Sequence, residues 1–402
     1  MIALSIGKAT YDITVPVEDY PIENTKSVLK EKLEGSGGGA SNVAYLLGKW
    51  ACDTYFAGTV GYDDLGNSIK KELESVRVKT RFVEVNYERK TTTCFIIANK
   101  KTTSRTQLLI EPEVYHLKKY EYDMHPDVIY SDGFEYLATM AAINKFPNAV
   151  TVLGAGINYS DEKELLALAK YAKYVIFSLE FACYLTKLTV DFNQPATLLN
   201  LYKNLKEKFP NSINIVTLKS MGALYANGDD VKIMKTVDVK EVDRTGAGDI
   251  FDGAFTYAIA KGYDIEKSIR IANIAAGLST TKYGAKNSVP ILSDVIRYYE
   301  NKFGNLEEPH FEEPVVDKVL VPEEAEDNSV KNPLDNSNLV ENVEQKEEVV
   351  VAVPEFFDVQ TLKEPEPIPE EVPSFHKELP KMNVNVMPTD TVPLFTPNSE
   401  EK

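Results

Sequence analysis

A repeated alternation of short apolar runs with amphipathic stretches of about a dozen residues restricts the fold of this chain more than any other feature. The run IALSI (2–6), halted by Gly7, reads as a buried strand entering a loop. SNVAYLLGKW (41–50) has helical spacing, and CDTYFAGTVG (52–61) is a β-rich run with a glycine exit. The pattern continues through PDVIYSD (126–132), AVTVLGAG (149–156), the helical DEKELLALAKYAK (161–173), YVIFS (174–178), LLNLYKNLKEKF (198–209) and INIVTLK (213–219). Strands alternating with helices predict an α/β fold, a mostly parallel sheet covered on both faces. In such sheets ligands bind beyond the carboxyl ends of the strands.

Two stretches leave this rhythm, 12–35 and 79–110, both rich in β-branched residues at loose alternation. They flank a glycine-rich motif and predict a small antiparallel sheet projecting as a lid, of the kind that excludes water from a transfer site. The alternative is that they are ordinary edge strands of the main sheet.

The formal charge of −17 is unevenly placed. Residues 305–402 hold 24 of the 61 acids and 7 of the 44 bases, which leaves 37 of each before them. A neutral body offers no positive surface for nucleic acid or an anionic membrane. The last 98 residues contain no glycine and 13 of the 21 prolines, so a 1–304 domain is expected to be followed by a disordered acidic tail, 305–402. Two apolar pieces inside it, EVVVAVPEFFDV (348–359) and TVPLFTP (391–397), are candidate docking motifs for an unidentified partner. Cys52, Cys94 and Cys183 are far apart and in apolar contexts, as expected of reduced thiols rather than a disulfide framework or metal cluster. The four histidines are equally scattered, which removes most zinc-enzyme and histidine-triad chemistry. The first residues lack a basic region followed by a long apolar stretch, and no apolar run approaches a membrane span, so a cytoplasmic location is expected.

The stretch KEVDRTGAGDIFDGAFTYAIAKG (240–262) carries the chemistry. Gly246, Ala247, Gly248 and Asp249 open an amphipathic helix. Small residues let the backbone approach an anion, and a helix N-terminus offers unpaired N–H groups with positive potential. A carboxylate at the end of that loop is suited to accept the proton of an attacking hydroxyl while the amides hold a phosphoryl group in flight.

This stretch resembles the second signature, D-T-x-G-A-G-D, of the ribokinase (PfkB) family of carbohydrate kinases, with Arg244 where threonine is commoner. GGGASNVAYLLGKW (37–50) resembles the first signature, and GTVGYDDLGN (58–67) the family's G-x-V-G-x-D-x-x-G segment. The resemblance runs over residues 1 to about 300 and implies a ribokinase-like three-layer sandwich with a β-lid. It also implies ATP with Mg²⁺ as phosphoryl donor, a sugar or sugar-like alcohol as acceptor, and Asp249 as the base.

The same resemblance implies that Asp12, Gly37, Gly38 and Asn42 hold the substrate hydroxyls, and it permits Arg105 of the lid as a further substrate contact, the alternative being an exposed lid arginine. VTLKSMGALYANGD (216–229) resembles the nucleotide loop, which places Thr217, Lys219 and Gly222 beside ATP; Lys219 stands where a glycine is usual. IANIAAGLSTTKYGAKNSVP (271–290) brings Asn273 and Gly284 to the nucleotide, and Asp243 with Gly284 and Ser288 fits a monovalent cation site, K⁺ by its oxygen donors. FSLEFA (177–182) departs from the family's N-x-x-E motif, with Glu180 one step from the usual position. Lids that pair across a dimer in this family imply a homodimer. The acceptor class stays open among sugars, sugar acids, sugar phosphates and, in a nucleoside kinase of the same fold, nucleosides. A catalytically weak sugar- or nucleotide-binding protein with a partner-recruiting tail is the alternative from another class.

Overall fold

The chain starts in the middle of its main sheet. β1 (Ile2–Ile6) is buried from its second residue onward and turns out through Gly7 into β2 (Thr10–Val17) and β3 (Leu33–Gly37). α1 (Gly39–Lys49), β4 (Asp53–Gly61), α2 (Asp64–Ser75) and β5 (Lys79–Asn86) follow, then β6 (Thr93–Asn99) and β7 (Arg105–Ile110). The next strands and helices alternate: β8 (Val128–Ser131), α3 (Tyr136–Lys145), β9 (Val150–Ala155), α4 (Glu162–Ala169), β10 (Tyr174–Ser178), α5 (Leu179–Thr186), α6 (Pro195–Lys208) and β11 (Ile213–Thr217). A hairpin, β12 (Ala223–Asn227) and β13 (Asp230–Met234), precedes three helices, α7 (Ala247–Ala260), α8 (Ile265–Ser279) and α9 (Leu292–Phe303), and β14 (Thr391–Pro393) is the last strand. The computed structural model describes residues 1–111, 114–156 and 162–309, and 391–393 as backbone; the tail reading for 310–390 and 394–402, including the apolar piece 348–359, lies outside the described residues.

The main sheet runs β14-β13-β12-β11-β10-β9-β8-β1-β4-β5. From β11 to β5 every pairing is parallel, and β12, β13 and β14 are added antiparallel. The parallel strands are buried on both faces because α1, α2, α7, α8 and α9 pack on one side and α3 to α6 on the other. On the first side Leu46, Leu47, Phe255 and Ile269 meet; on the second, Leu165, Leu198, Leu201 and Phe177. α7 is the central prop. Its buried Ile250, Phe251, Phe255 and Ile259 recur at helical spacing, and each contributes about 1.5–3 kcal/mol by leaving water. Strand order reverses at β1, between β8 and β4, which is where a crevice for ligand opens in sheets of this kind.

The lid is a four-stranded sheet in the order β3-β2-β6-β7. It differs from the expectation in two ways. Its central pair β2–β6 is parallel, so the sheet is mixed, and residues 79–86, expected in the lid, form β5 at the edge of the main sheet. β-branched composition is shared by both sheets, and the local pattern does not say which edge a strand will join. A further difference lies at the opposite edge of the main sheet. Thr391–Pro393, within a segment expected to be disordered, pairs with β13, Thr391 opposite Met234 and Pro393 opposite Lys232. Among the described residues no helix is long and apolar enough to cross a membrane.

Candidate active site

A buried carboxylate organises the crevice. Asp132, just after β8, accepts hydrogen bonds at Oδ2 from the Lys8 amide (2.9 Å) and the Ala40 amide (3.0 Å), and at Oδ1 from the Phe134 amide (3.1 Å). It thereby joins the exit of β1, the first turn of α1 and the exit of β8. Burial pushes its pKa up to about 6 against these three donors.

α1 begins at Gly38, whose φ of 91° and close approach to the Lys8 carbonyl, 2.4 Å from where a Cβ would stand, leave room for glycine only. Gly37 ends β3 opposite Thr10 of β2, and Asp12 lies two residues further along β2. Thr10 Oγ1 donates to Asp12 Oδ1 at 2.7 Å, while burial raises the Asp12 pKa to about 6. One turn into α1, Asn42 points at the other half of the site.

That half is the start of α7. Gly246 caps it in the left-handed conformation (φ 75°), the space above Gly248 is open, and Asp249 sits in the first turn, where the helix leaves N–H groups without intrahelical partners. Asn42 Nδ2 donates to Asp249 Oδ2 at 2.6 Å across 207 positions of sequence. The amide oxygen of Asn42 is buried with no hydrogen-bond partner among the described residues. Such an oxygen calls for a donor from a ligand, because leaving it dry costs about 1–3 kcal/mol. Burial raises the pKa of Asp249, opposed in turn by the Asn42 bond and by the charges of Arg105 and Lys286. A carboxylate held up in this way is a better proton acceptor than a solvated one. Arg105 reaches in from β7 and donates through Nη1 to the Arg244 carbonyl at 2.9 Å, so the lid touches the glycine loop directly.

The residues expected at the nucleotide lie at and after the end of β11 (Thr217, Lys219, Gly222), on α8 (Asn273) and in the loop before α9 (Gly284). Thr217 ends β11 with its hydroxyl on the Phe177 carbonyl (3.3 Å). Lys219 follows in a left-handed conformation, φ 56°, which accounts for the glycine usual at this place, and its ammonium pairs with Glu180 of α5. Two departures from the family pattern thus meet each other in space. Gly222 passes close under Met234, Asn273 spends its side-chain amide on the Met234 carbonyl (3.0 Å), and the Gly284 amide donates to Asp243 Oδ2 (2.9 Å). Asp243 Oδ1 accepts from the Thr245 amide and hydroxyl, and Ser288 Oγ donates to the Ala285 carbonyl (2.8 Å), so this oxygen cluster first of all ties the α7 loop to the 284–288 turn. Among the described residues no three His, Cys, Asp or Glu side chains gather as a metal site.

This arrangement has a match over most of its length. The family model "pfkB family carbohydrate kinase" fits residues 3–292. The chain belongs to the pfkB family of carbohydrate kinases. It is similar to the ribokinase of Lactococcus lactis, 37% identical over 29% of this chain and 38% of that enzyme, and to the ribokinase of Bacillus subtilis, 24% identical over 72% of this chain and 96% of that one. In fold it is similar to a putative ribokinase from Agrobacterium tumefaciens, TM-score 0.65 at 22% identity, covering 75% of this chain and 97% of that structure. Membership places the kinase among phosphotransferases with an alcohol acceptor.

Sequence reasoning missed three side chains of the kinase's site. Asp132 lay in the turn-like SDG that ends an apolar run. Lys286 lay inside GAKNSVP, and its buried ammonium bonds Ser36 Oγ and, at 2.9 Å, Ser41 Oγ, with Tyr45 beneath it. Glu72 of α2 accepts from the Ser36 amide (2.7 Å) and hydroxyl (2.5 Å). Burial lowers the Lys286 pKa to about 8, with Glu72, Asp12 and Asp249 acting against the fall. This cation is the counterweight to the carboxylates Glu72, Asp12 and Asp249 around the crevice.

Proposed function

We propose that the protein transfers the γ-phosphoryl group of ATP to a hydroxyl of a sugar or sugar-like alcohol, with Asp249 as base. The observation that carries this reading is the 2.6 Å contact between Asn42 and Asp249, with the second Asn42 oxygen buried and unpartnered. The reading is supported because this contact brings a side-chain amide and a carboxylate within the same few ångströms, as a hydroxyl binder and its proton acceptor would need to be. The acceptor hydroxyl gives its proton to Asp249, its oxygen forms a bond to the γ-phosphorus as the bond to the β-phosphate oxygen breaks, and ADP leaves. The amides of Gly246, Ala247 and Gly248 take the charge spread over the transferring oxygens. Asp12 and Asn42 fix the acceptor, Gly37 and Gly38 let it approach the backbone, and Arg105 closes over it. Thr217, Lys219, Gly222, Asn273 and Gly284 form the nucleotide side.

Mg²⁺ arriving with ATP supplies charge neutralisation on the phosphates, and Glu180 is the nearby carboxylate suited to its water shell. Asp243 and Ser288 with the Gly284 turn offer only oxygen donors, a set that suits K⁺. Leu108 and Ile110 on β7 share one exposed face with Phe95, the partner of Leu108 on β6, and this apolar face supports a homodimer in which lid meets lid.

The test is ADP release, coupled to a reporter, across ketoses, aldoses, sugar acids, sugar phosphates and nucleosides. One group of related acceptors should stimulate release, and Asp249→Ala should abolish the stimulation. ATP binding with no acceptor-dependent release in any class would favour a catalytically weak binding protein, a reading whose support is the Lys219–Glu180 pair on the nucleotide side.

A further inference from the structure

The antiparallel edge of the main sheet carries a feature that phosphoryl transfer does not use. Beside β13 lies a groove of about 690 Å³ whose apolar wall is Leu199 and Tyr202 of α6 with Ile213, Ala226, Val231 and Ile265. It is remote from the glycine loops: none of its lining residues belongs to the site described above. A groove of this size next to a sheet edge is a place where an extended peptide adds a strand and drops alternate side chains into the pocket.

The structure already contains the start of such a strand. β14 runs antiparallel along β13 with Thr391 opposite Met234, Val392 opposite Ile233 and Pro393 opposite Lys232. In that register the next position along β13 is Val231, and the next residue of the sequence is Leu394. Val231 in turn pairs with Ala226 on β12, and both line the groove. The strand therefore leads toward the opening, and the next residues of the sequence, Leu394 and Phe395, are the apolar ones in a neighbourhood of Asp, Pro, Asn and Glu. The 81 residues from 310 to 390 give ample chain to bring this segment back from α9.

We propose that the groove beside β13 is a docking site for the chain's own segment 391–395, with Leu394 seated against Val231 and the α6 wall of the groove. Pairing satisfies the outer edge of β13, which would otherwise present unpaired amides and carbonyls. Burying one leucine side chain adds the apolar part that a three-residue ladder lacks. The occupant is intramolecular, because the β13–β14 register belongs to this chain and Val231 of that strand lines the groove.

Two measurements on the full-length chain test this. In the double variant Val231→Cys with Leu394→Cys, directly opposed positions of an antiparallel pair lie within disulfide reach, so mild oxidation should yield a 231–394 bridge within one chain. The offset pair Val231→Cys with Phe395→Cys should bridge at least tenfold more slowly. Bridging between two chains would assign the groove to a second copy's tail and overturn the proposal, as would equal rates for the two pairs. Independently, hydrogen exchange at the amides of residues 230–234 should be at least tenfold faster in Leu394→Asp than in the unmodified protein. Equal exchange in the two proteins would mean that the segment does not occupy the groove.

Discussion

At the scale of single residues, the proposed mechanism divides the crevice into groups that act before transfer and groups that act during it. Asp249→Ala should lower kcat by about 10² to 10⁴ with acceptor KM nearly kept, since only the proton acceptor is removed. Asp12 behaves differently with pH. Its burial-raised pKa of about 6 means the carboxylate gains a proton as pH falls through 6, and a protonated Asp12 loses an acceptor for substrate hydroxyls. Acceptor KM should therefore rise as pH is lowered from 7 to 5, while Asp12→Asn shows a higher KM that no longer changes over that range; a wild-type KM flat in pH would remove Asp12 from the binding role. These residues were legible because each lies in a short local motif. Lys286 was not, since its meaning depends on Ser36, Ser41 and Glu72, which only the folded chain brings to it.

At the scale of elements, the strands and helices of the main sheet follow from hydrophobic period, and the choice of sheet does not. β5 has the same β-branched character as the lid strands, and what puts it beside β4 is tertiary: Val78 and Val83 join the core under α2. The nucleotide loop offers a sharper test of local against tertiary terms. Lys219 holds a left-handed backbone, a strain of about 1 kcal/mol, while its half-exposed pair with Glu180 is worth about 0–1 kcal/mol. Lys219→Gly should therefore leave the thermal midpoint unchanged or slightly raised, and Lys219→Ala, which keeps the strain and loses the pair, should lower it. α7 depends on packing rather than on helix propensity. Phe255→Ala, which empties a fully buried site against Tyr174, should cost about 3–5 kcal/mol in denaturant unfolding.

For the whole molecule, the lid and the far sheet edge are surfaces of the described residues that strands of the kinase body do not cover by themselves. If lids meet across a dimer, Leu108→Asp should convert the protein to monomer in light scattering at micromolar concentration and raise the acceptor KM, whereas the same substitution in an already monomeric protein would leave the mass unchanged. The opposite edge has a consequence in time. β14 joins a sheet whose neighbouring strand, β13, ends at Met234, while β14 itself begins at Thr391. A ribosome adding 5–20 residues per second needs on the order of ten to thirty seconds to make the chain between them. Throughout that interval the nascent protein carries a sheet finished on one side and open on the other, so the edge of β13 is where neighbouring chains on one messenger would meet, and the strand that closes it is made only at the end of that wait.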